Sequence, residues 1–125
     1  MEVTPLLPEG RQVVQAYRDG GFVIGGVPRD GAALVLPART TSWSVTRFED
    51  IDATSFEQLY AGGDIIDVLV LGTGATFKMI DPRLRQVLRQ RGTVVECMAT
   101  PAACRTFNVL LVEDRKVAAA LIPVA

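Results

Sequence analysis

The fold of this chain is decided by the stretch Ile65-Ile66-Asp67-Val68-Leu69-Val70-Leu71-Gly72-Thr73-Gly74. Its first seven residues are apolar apart from Asp67, which predicts a strand over residues 65–71 that is covered on both faces. The two glycines directly after this strand predict either a tight turn with positive φ or a place where a ligand approaches the backbone. Such a strand is typical of an α/β domain built on a central sheet.

Two helical patterns flank this strand. Before it, Thr54-Ser55-Phe56-Glu57 matches a capping box with Thr54 as the N-cap, and Gly62-Gly63 ends the short helix. After it, Pro82 opens a second helix, which Gly92 ends as a C-terminal cap. The helical spacing places Leu84, Val87 and Leu88 inward and Arg85 and Arg89 outward.

The last third of the chain continues the alternation of strands and helices. Thr93 to Met98 is rich in β-formers and predicts a strand. Thr100-Pro101 caps and starts a third helix, whose apolar stripe is Ala103, Phe107, Leu110 and Leu111. After a charged turn, Val117 to Ile122 predicts the final strand. The order strand–helix–strand–helix–strand predicts parallel pairing through right-handed crossovers.

The first third of the chain is different, because its connections are too short for crossovers. It predicts strands at Gln12–Tyr17, Phe22–Ile24 and Ala32–Leu36, turns at Asp19–Gly21 and Pro28–Gly31, and an extended piece at Trp43–Val45. We therefore expect an α/β fold of three layers, with a central mixed, mostly parallel sheet, helices packed on it, and an antiparallel N-terminal ribbon. We expect one domain over residues 1–125, with residues 1–10 as a loose lead-in.

Composition excludes several classes of function. The 125 residues carry a net charge of −1, so the chain has no field that would attract nucleic acid. The absence of histidine excludes a Ser/His/Asp triad and any histidine-containing metal site. Two cysteines are too few for an all-cysteine zinc site, so we expect no metal and no cofactor. No apolar stretch approaches the length of a membrane span, and no targeting segment is visible.

Cysteine usage bears on location and reactivity. We expect Cys97 and Cys104 to be free thiols in a reducing compartment, and the chain to be cytoplasmic. Cys104 lies near the start of the third helix, where the helix dipole lowers the pKa of a thiol. Cysteine is also a common small core residue, so a reactive and a structural role both stay open.

Six residues are candidates for binding a ligand or a partner, and none is assigned a catalytic role. They are Asp67, Gly72, Thr73, Gly74, Arg105 and Asn108. Arg105 and Asn108 are three residues apart on one helical face and suit a carboxylate or a partner's backbone. Near a helix N-terminus, where the dipole disfavours a cation, Arg105 makes sense if it meets a carboxylate, either Asp67 within the domain or a group on a ligand or partner. Ordinary capping or salt bridging by these two residues also stays open.

Several stretches together resemble one known family. They are Gly20-Gly21-Phe22, Leu34-Val35-Leu36-Pro37, Trp43, Asp67 to Gly74, Arg91-Gly92, Ala102 to Asn108 and Ala118-Ala119-Ala120-Leu121. The family is a small conserved α/β domain of unknown biochemical function, first seen structurally in a methanogen protein. Its eukaryotic relatives include a mitochondrial assembly factor for respiratory complex I. The resemblance spans residues 11–122 and implies a three-layer fold without an established enzymatic activity.

Two hypotheses of function follow. The leading one is a non-enzymatic binding or assembly module whose partner is another protein, with the chain itself a bacterial monomer or weak homodimer. The alternative is a small-molecule binder or minor enzyme that uses a pocket around Gly72-Thr73-Gly74. A closed concave pocket would favour the second hypothesis, and an exposed apolar patch would favour the first.

Overall fold

The computed structural model describes residues 10–125, which form eight strands and three helices. The strands are β1 (Val14–Arg18), β2 (Gly21–Ile24), β3 (Val27–Asp30), β4 (Ala33–Val35), β5 (Thr40–Ser42), β6 (Val68–Thr73), β7 (Val94–Met98) and β8 (Val117–Ile122). The helices are α1 (Glu57–Tyr60), α2 (Pro82–Gln90) and α3 (Thr100–Val112), and a 3-10 turn covers Phe48–Asp50. Apart from Gly10, the lead-in predicted for residues 1–10 lies outside the described residues.

The central sheet has five strands in the order β5-β4-β8-β6-β7. β6 pairs in parallel with β7 and β8, as the crossover order predicts. β4 pairs antiparallel with both β5 and β8. Parallel and antiparallel junctions are therefore equal in number, and the sheet is mixed without being mostly parallel. The reason is that a strand of the antiparallel N-terminal third joins the sheet beside β8.

Both faces of the five-stranded sheet are buried. Leu69 and Leu71 point to one face, where they share a buried cluster with Leu84 of α2. Val70 points to the other face and belongs to the cluster of Phe107 of α3. Successive side chains of a strand alternate between its two faces, so an apolar run such as β6 needs a covering layer on each side.

The predicted N-terminal ribbon is a separate antiparallel sheet of β1, β2 and β3. Phe22 in its middle strand is fully buried in the cluster that α3 covers. The turn predicted at residues 28–31 is wrong, because residues 28–30 belong to β3. The chain turns instead at Gly25 and Gly26, whose φ values are +57° and +81°. Pro28 is tolerated in β3 because this is an edge strand, where a missing N–H breaks no ladder bond.

Two predictions in the connection to α1 are also wrong. The extended piece predicted at residues 43–45 lies three residues earlier, as β5. Trp43 leaves the sheet and is buried, and its indole N–H donates to the carbonyl oxygen of Ser55 at 2.7 Å. A buried indole needs such an acceptor, and this contact fixes the path of the chain.

The capping box predicted at residues 54–57 does not form. The Asp52 carboxylate accepts hydrogen bonds from the N–H and the hydroxyl of Thr54, at 2.9 Å and 2.7 Å. Helix α1 begins at Glu57, with Phe56 at the N-cap and no side-chain cap bond. The Thr54 hydroxyl, which the predicted cap requires, is thus hydrogen-bonded to Asp52 before the helix begins.

The start of the central strand and the orientation of two residues on α2 also differ from prediction. The central strand runs from Val68 to Thr73, and Ile65 is 68% exposed before it. On α2, Val87 was predicted inward but is 41% exposed. Arg85 was predicted outward but lies half-buried against β7. Within residues 10–125, no helix is long and apolar enough to cross a membrane.

Candidate functional site

The start of α3 is joined to the carboxyl end of β6 by two hydrogen bonds and to the end of β8 by a third. The Gly74 N–H donates to the Thr100 hydroxyl at 2.9 Å, and the Thr100 N–H donates back to the Gly74 carbonyl oxygen at 2.8 Å. The Thr100 hydroxyl donates to the carbonyl oxygen of Ile122 at 2.6 Å. Gly74 adopts φ +101°, which favours glycine. The strand end and the helix start therefore meet at one edge of the sheet, as their order in the sequence predicts.

Gly72 allows α3 to lie close to the sheet. A Cβ atom at this position would lie 2.8 Å from the Thr100 hydroxyl oxygen and 3.2 Å from the Ala103 Cβ. The space that the missing side chain leaves is occupied by the helix itself. The glycine is explained by packing inside the chain.

Thr73 shapes the loop that follows. Its hydroxyl donates to the carbonyl oxygen of Thr76 at 2.7 Å and accepts from the N–H of Lys78 at 3.1 Å. The carbonyl oxygen of Met98 lies 3.2 Å from the same hydroxyl. Thr73 is itself buried. These contacts tie Thr76 and Lys78 of residues 74–79, which we call the β6–α2 loop, to the end of β6.

Asn108 was expected to bind a carboxylate or a partner's backbone, and its side chain is instead bonded to the backbone of this chain. Its side-chain oxygen accepts from the N–H of Val14 at 3.0 Å, and its side-chain nitrogen donates to the Val14 carbonyl oxygen at 2.9 Å. Both residues are buried. The amide of Asn108 pairs with β1 as a neighbouring strand would, and it ties the three-stranded sheet to α3.

Asp67 and Arg105 do not form the buried pair that was considered. Both side chains are exposed, and neither forms an ion pair with another residue in the range 10–125. Asp67 precedes β6 at its amino end, where its main chain bonds to Lys116 and Val94. Arg105 lies in the second turn of α3, which begins at the carboxyl end of β6. Arg105 therefore has no carboxylate partner among residues 10–125, and its guanidinium is open to solvent.

The two cysteines differ in environment, and both are free thiols. Cys104 is fully buried, and this burial raises the pKa of its thiol to about 12. The charge of Arg105 lowers that pKa, but by less than burial raises it. Loss of solvation outweighs the charge of Arg105 and the backbone hydrogen bond at Cys104, so Cys104 is a core residue and the reactive role is not supported.

An open apolar groove runs between the 3-10 turn and α2. Two adjoining cavities of about 450 Å³ and 310 Å³ form it, and they share Ile51, Asp81 and Leu84. The remaining lining residues are Phe48, Glu49, Lys78, Ile80, Asp52, Ala53, Arg83 and Val87. We call these residues the α2 groove. Its two walls come from segments about 30 residues apart in the sequence.

The rim of the α2 groove is ionised. Lys78 Nζ lies 2.9 Å from Glu49 Oε2 and 5.6 Å from the centre of the Phe48 ring. The hydrogen bond from Lys78 lowers the pKa of Glu49. Hydrogen bonds from Thr54, and secondarily from Ser55, lower the pKa of Asp52. An apolar floor with a charged rim is a surface for binding side chains of another molecule.

Phe77 and Met79 lie in the β6–α2 loop, and neither is among the residues that line the α2 groove. They flank the groove residue Lys78 in the chain, and their side chains are 57% and 59% exposed. These two residues were missed at the level of sequence. The available signal was two large apolar residues in a connection that is neither strand nor helix. No group of three acidic or cysteine side chains in residues 10–125 is placed to hold a metal ion.

Comparisons with known proteins agree on one family. A family described as "Protein of unknown function (DUF498/DUF598)" matches residues 14–122. The NADH dehydrogenase [ubiquinone] 1 alpha subcomplex assembly factor 3 of Xenopus tropicalis is 37% identical over 110 residues, which cover 88% of this chain and 60% of that protein. The chain thus spans about three fifths of the length of such relatives.

Solved structures of bacterial proteins have the same fold. A crystal structure from Bordetella parapertussis is 36% identical, with a TM-score of 0.83, and the match covers 91% of this chain and 97% of that one. A solution structure from Bordetella pertussis, described as a Mth938-like domain, is 28% identical, with a TM-score of 0.82 and 98% and 92% coverage.

Proposed function

Because the chain belongs to the DUF498/DUF598 family, we propose that it is a non-enzymatic binding module that holds a protein partner while a larger complex is assembled. The names of its assembly-factor relatives support this role. Those relatives are longer, so their partners are not transferred to this chain. Two free cysteines agree with a reducing compartment, and we place the module in the cytoplasm.

The contact surface in this proposal is the α2 groove together with Phe77 and Met79. The observation that carries it is the exposure of more than half of each of these two side chains, which precede and follow the groove residue Lys78 in the chain. Burying one such side chain against a partner contributes about 1.5–3 kcal/mol. The loop is already held by Thr73, so binding does not have to order it.

The residues first singled out take different parts in this proposal. Four of them do not contact the partner in this proposal: Gly72, Thr73, Gly74 and Asn108. Their polar groups form hydrogen bonds within the chain, and helix α3 occupies the space beside Gly72. Arg105 is exposed on α3, which covers the opposite face of the sheet from α2, so it takes no part in the contact proposed at the α2 groove. The alternative of a small-molecule pocket around Gly72–Gly74 has less support, because helix α3 fills that space.

A double variant tests the proposal. We expect Phe77→Ser with Met79→Ser to lower recovery of the partner by at least roughly tenfold, since about 1.4 kcal/mol corresponds to a factor of ten. The measurement is quantitative mass spectrometry of proteins that co-purify with the tagged chain from its native organism. Thermal stability should hardly change, because both side chains are exposed.

The matched control replaces two exposed valines on another surface. Val109→Ser with Val112→Ser changes side chains of α3 that are 55% and 50% exposed. We expect this control to recover the partner as the wild type does. Equal recovery of the same partner by wild type and the Phe77/Met79 variant would remove the groove from the proposal.

A further inference from the structure

A second open cavity lies at the amino ends of β6 and β8. It has a volume of about 430 Å³ and is lined by residues 36–37, 63–66 and 114–117 together with Arg11. We call these residues the β8 cleft. None of them belongs to the α2 groove, whose walls are residues 48–53 and 78–87. A concave surface of this size can hold part of another molecule.

The floor of the β8 cleft is apolar, and one of its side chains is left open to solvent. Leu36, Ile66 and Val117 are buried core residues. Ile65 lines the same cavity and is 68% exposed, the largest fraction among the large apolar side chains in residues 10–125. A bound molecule that covers Ile65 removes this apolar surface from water, which favours binding.

The main chain beside Ile65 has hydrogen-bonding groups to spare. Within residues 10–125, no hydrogen bond uses the N–H of Asp64 or Ile65, or the carbonyl oxygen of Gly63, Asp64 or Ile65. All three residues are exposed and line the cleft. Pairing inside the chain starts only at Asp67, whose N–H donates to the Lys116 carbonyl oxygen at 2.8 Å. Free main-chain groups of this kind can bond to an extended peptide laid beside them.

The charge that stays unpaired in the β8 cleft is positive. Asp64 and Asp114, the two carboxylates of the lining, lie 2.7 Å and 2.8 Å from guanidinium nitrogens of arginines. The Lys116 ammonium has no ion-pair partner among residues 10–125. Arg115 lies 3.9 Å from Glu113, and both side chains are half exposed, so this contact is weak. The cleft therefore complements an anionic group.

We propose that the β8 cleft is a docking site for an extended segment of a partner protein that carries an acidic side chain beside apolar ones. The apolar side chains cover Ile65, the main chain of the segment bonds to residues 63–65, and the carboxylate lies against Lys116. A basic segment lacks the third contact, and a small carboxylate lacks the second. The site goes beyond the proposed function, because a module with two separate surfaces can hold two segments at once.

A peptide titration tests the proposal. The probe is a capped peptide of leucines between two glutamates, added to the isotopically labelled chain and followed by nitrogen–proton correlation spectra. We expect the amide signals of Asp64, Ile65 and Lys116 to shift. The same peptide with lysines in place of the glutamates should bind at least roughly tenfold more weakly, because its charge repels Lys116.

Two variants separate the contributions of charge and apolar surface. Lys116→Glu and Ile65→Ser should each weaken binding of the acidic peptide by at least roughly tenfold. Both side chains are exposed, and the bonds of Lys116 to β6 come from its main chain, so the fold should be kept. Arg89→Glu makes the same change in net charge at an exposed position of α2 and should bind as wild type does. Should Lys116→Glu not fold, Lys116→Gln is titrated in its place and should likewise weaken binding.

Three results would overturn the proposal. The acidic peptide could leave the amide signals of the cleft unshifted, or the acidic and basic peptides could bind equally well. Sodium octanoate, titrated in parallel, could bind as tightly as the acidic peptide, which would show that the main chain of a peptide takes no part. None of these results affects the proposal for the α2 groove, because the two surfaces share no residue.

Discussion

Replacing Asn108 by leucine is expected to lower the free energy of unfolding by about 3–4 kcal/mol, since each buried polar group left without a partner costs about 1–3 kcal/mol. Leucine has a similar size but cannot bond to Val14. The N–H and the carbonyl oxygen of Val14 would then both be unsatisfied in a fully buried position. A loss of this size is a large fraction of the stability of a small domain.

Urea unfolding followed by circular dichroism measures this loss. Amide hydrogen exchange shows which part of the protein is destabilised, because the amides of the three-stranded sheet should lose protection more than those of β6 and β8 do. Val109→Leu, at the neighbouring exposed position of α3, is the control and should change stability by less than about 0.5 kcal/mol. A stable Asn108→Leu protein with normal protection in β1 and β2 would mean that apolar packing alone holds this sheet.

Thr100→Val is expected to cost about 2–4 kcal/mol of unfolding free energy, again through unsatisfied buried groups. Valine matches threonine in shape and removes only the hydroxyl. That hydroxyl accepts from the Gly74 N–H and donates to the Ile122 carbonyl oxygen. Its loss therefore loosens the start of the β6–α2 loop as well as the end of β8. If the groove depends on this loop, partner binding should fall together with stability.

Thr106→Val provides the comparison for Thr100→Val. Thr106 is half-buried on the same helix, so the substitution makes the same chemical change outside the hydrogen-bonded corner. We expect its effect on unfolding to stay below about 0.5 kcal/mol. Similar losses for the two variants would show that the cost comes from valine in a helix and not from the bonds to Gly74 and Ile122.

Much of the fold could be predicted because its patterns are local. The apolar run after residue 65, Pro82 with Gly92, and the strand at Val117–Ile122 each carry their signal in consecutive residues. The failures involve competition between local signals. Pro28 was interpreted as a turn residue although an edge strand also tolerates it. Thr54 was interpreted as a cap although Asp52 engages it first.

The candidate site was harder to predict because exposure depends on where a strand begins. Asp67 interrupts an apolar run, which left open both a buried carboxylate and a position near the entry of the strand. The strand begins one residue later, and Asp67 is left exposed at its entry. Arg105 was considered as its partner because the two side chains have opposite charges. The sequence did not show which end of the sheet each of them occupies. For Gly72 and Gly74 the sequence left ligand approach and a structural role open. The close approach of α3 supports packing at Gly72, and Gly74 combines φ +101° with a hydrogen bond to Thr100.

The α2 groove could not be predicted from any single stretch. Its walls come from residues 48–53 and 78–87, which meet only through the tertiary fold. Each wall contains ordinary apolar residues at ordinary spacing. Only the exposure of Val87, Phe77 and Met79 distinguishes them from core residues. Exposure of this kind is a property of packing between distant elements.

Site-specific photo-crosslinking tests the proposed partner surface most directly. The photoreactive amino acid p-benzoylphenylalanine is placed at Phe77 in one variant and at Val109 in the other, and cells of the native organism are irradiated. Both positions are more than half exposed. We expect one protein to be crosslinked at Phe77 and not at Val109. Absence of a crosslinked protein at Phe77, or the same proteins at equal yield from both positions, would contradict the proposal that this groove holds a partner.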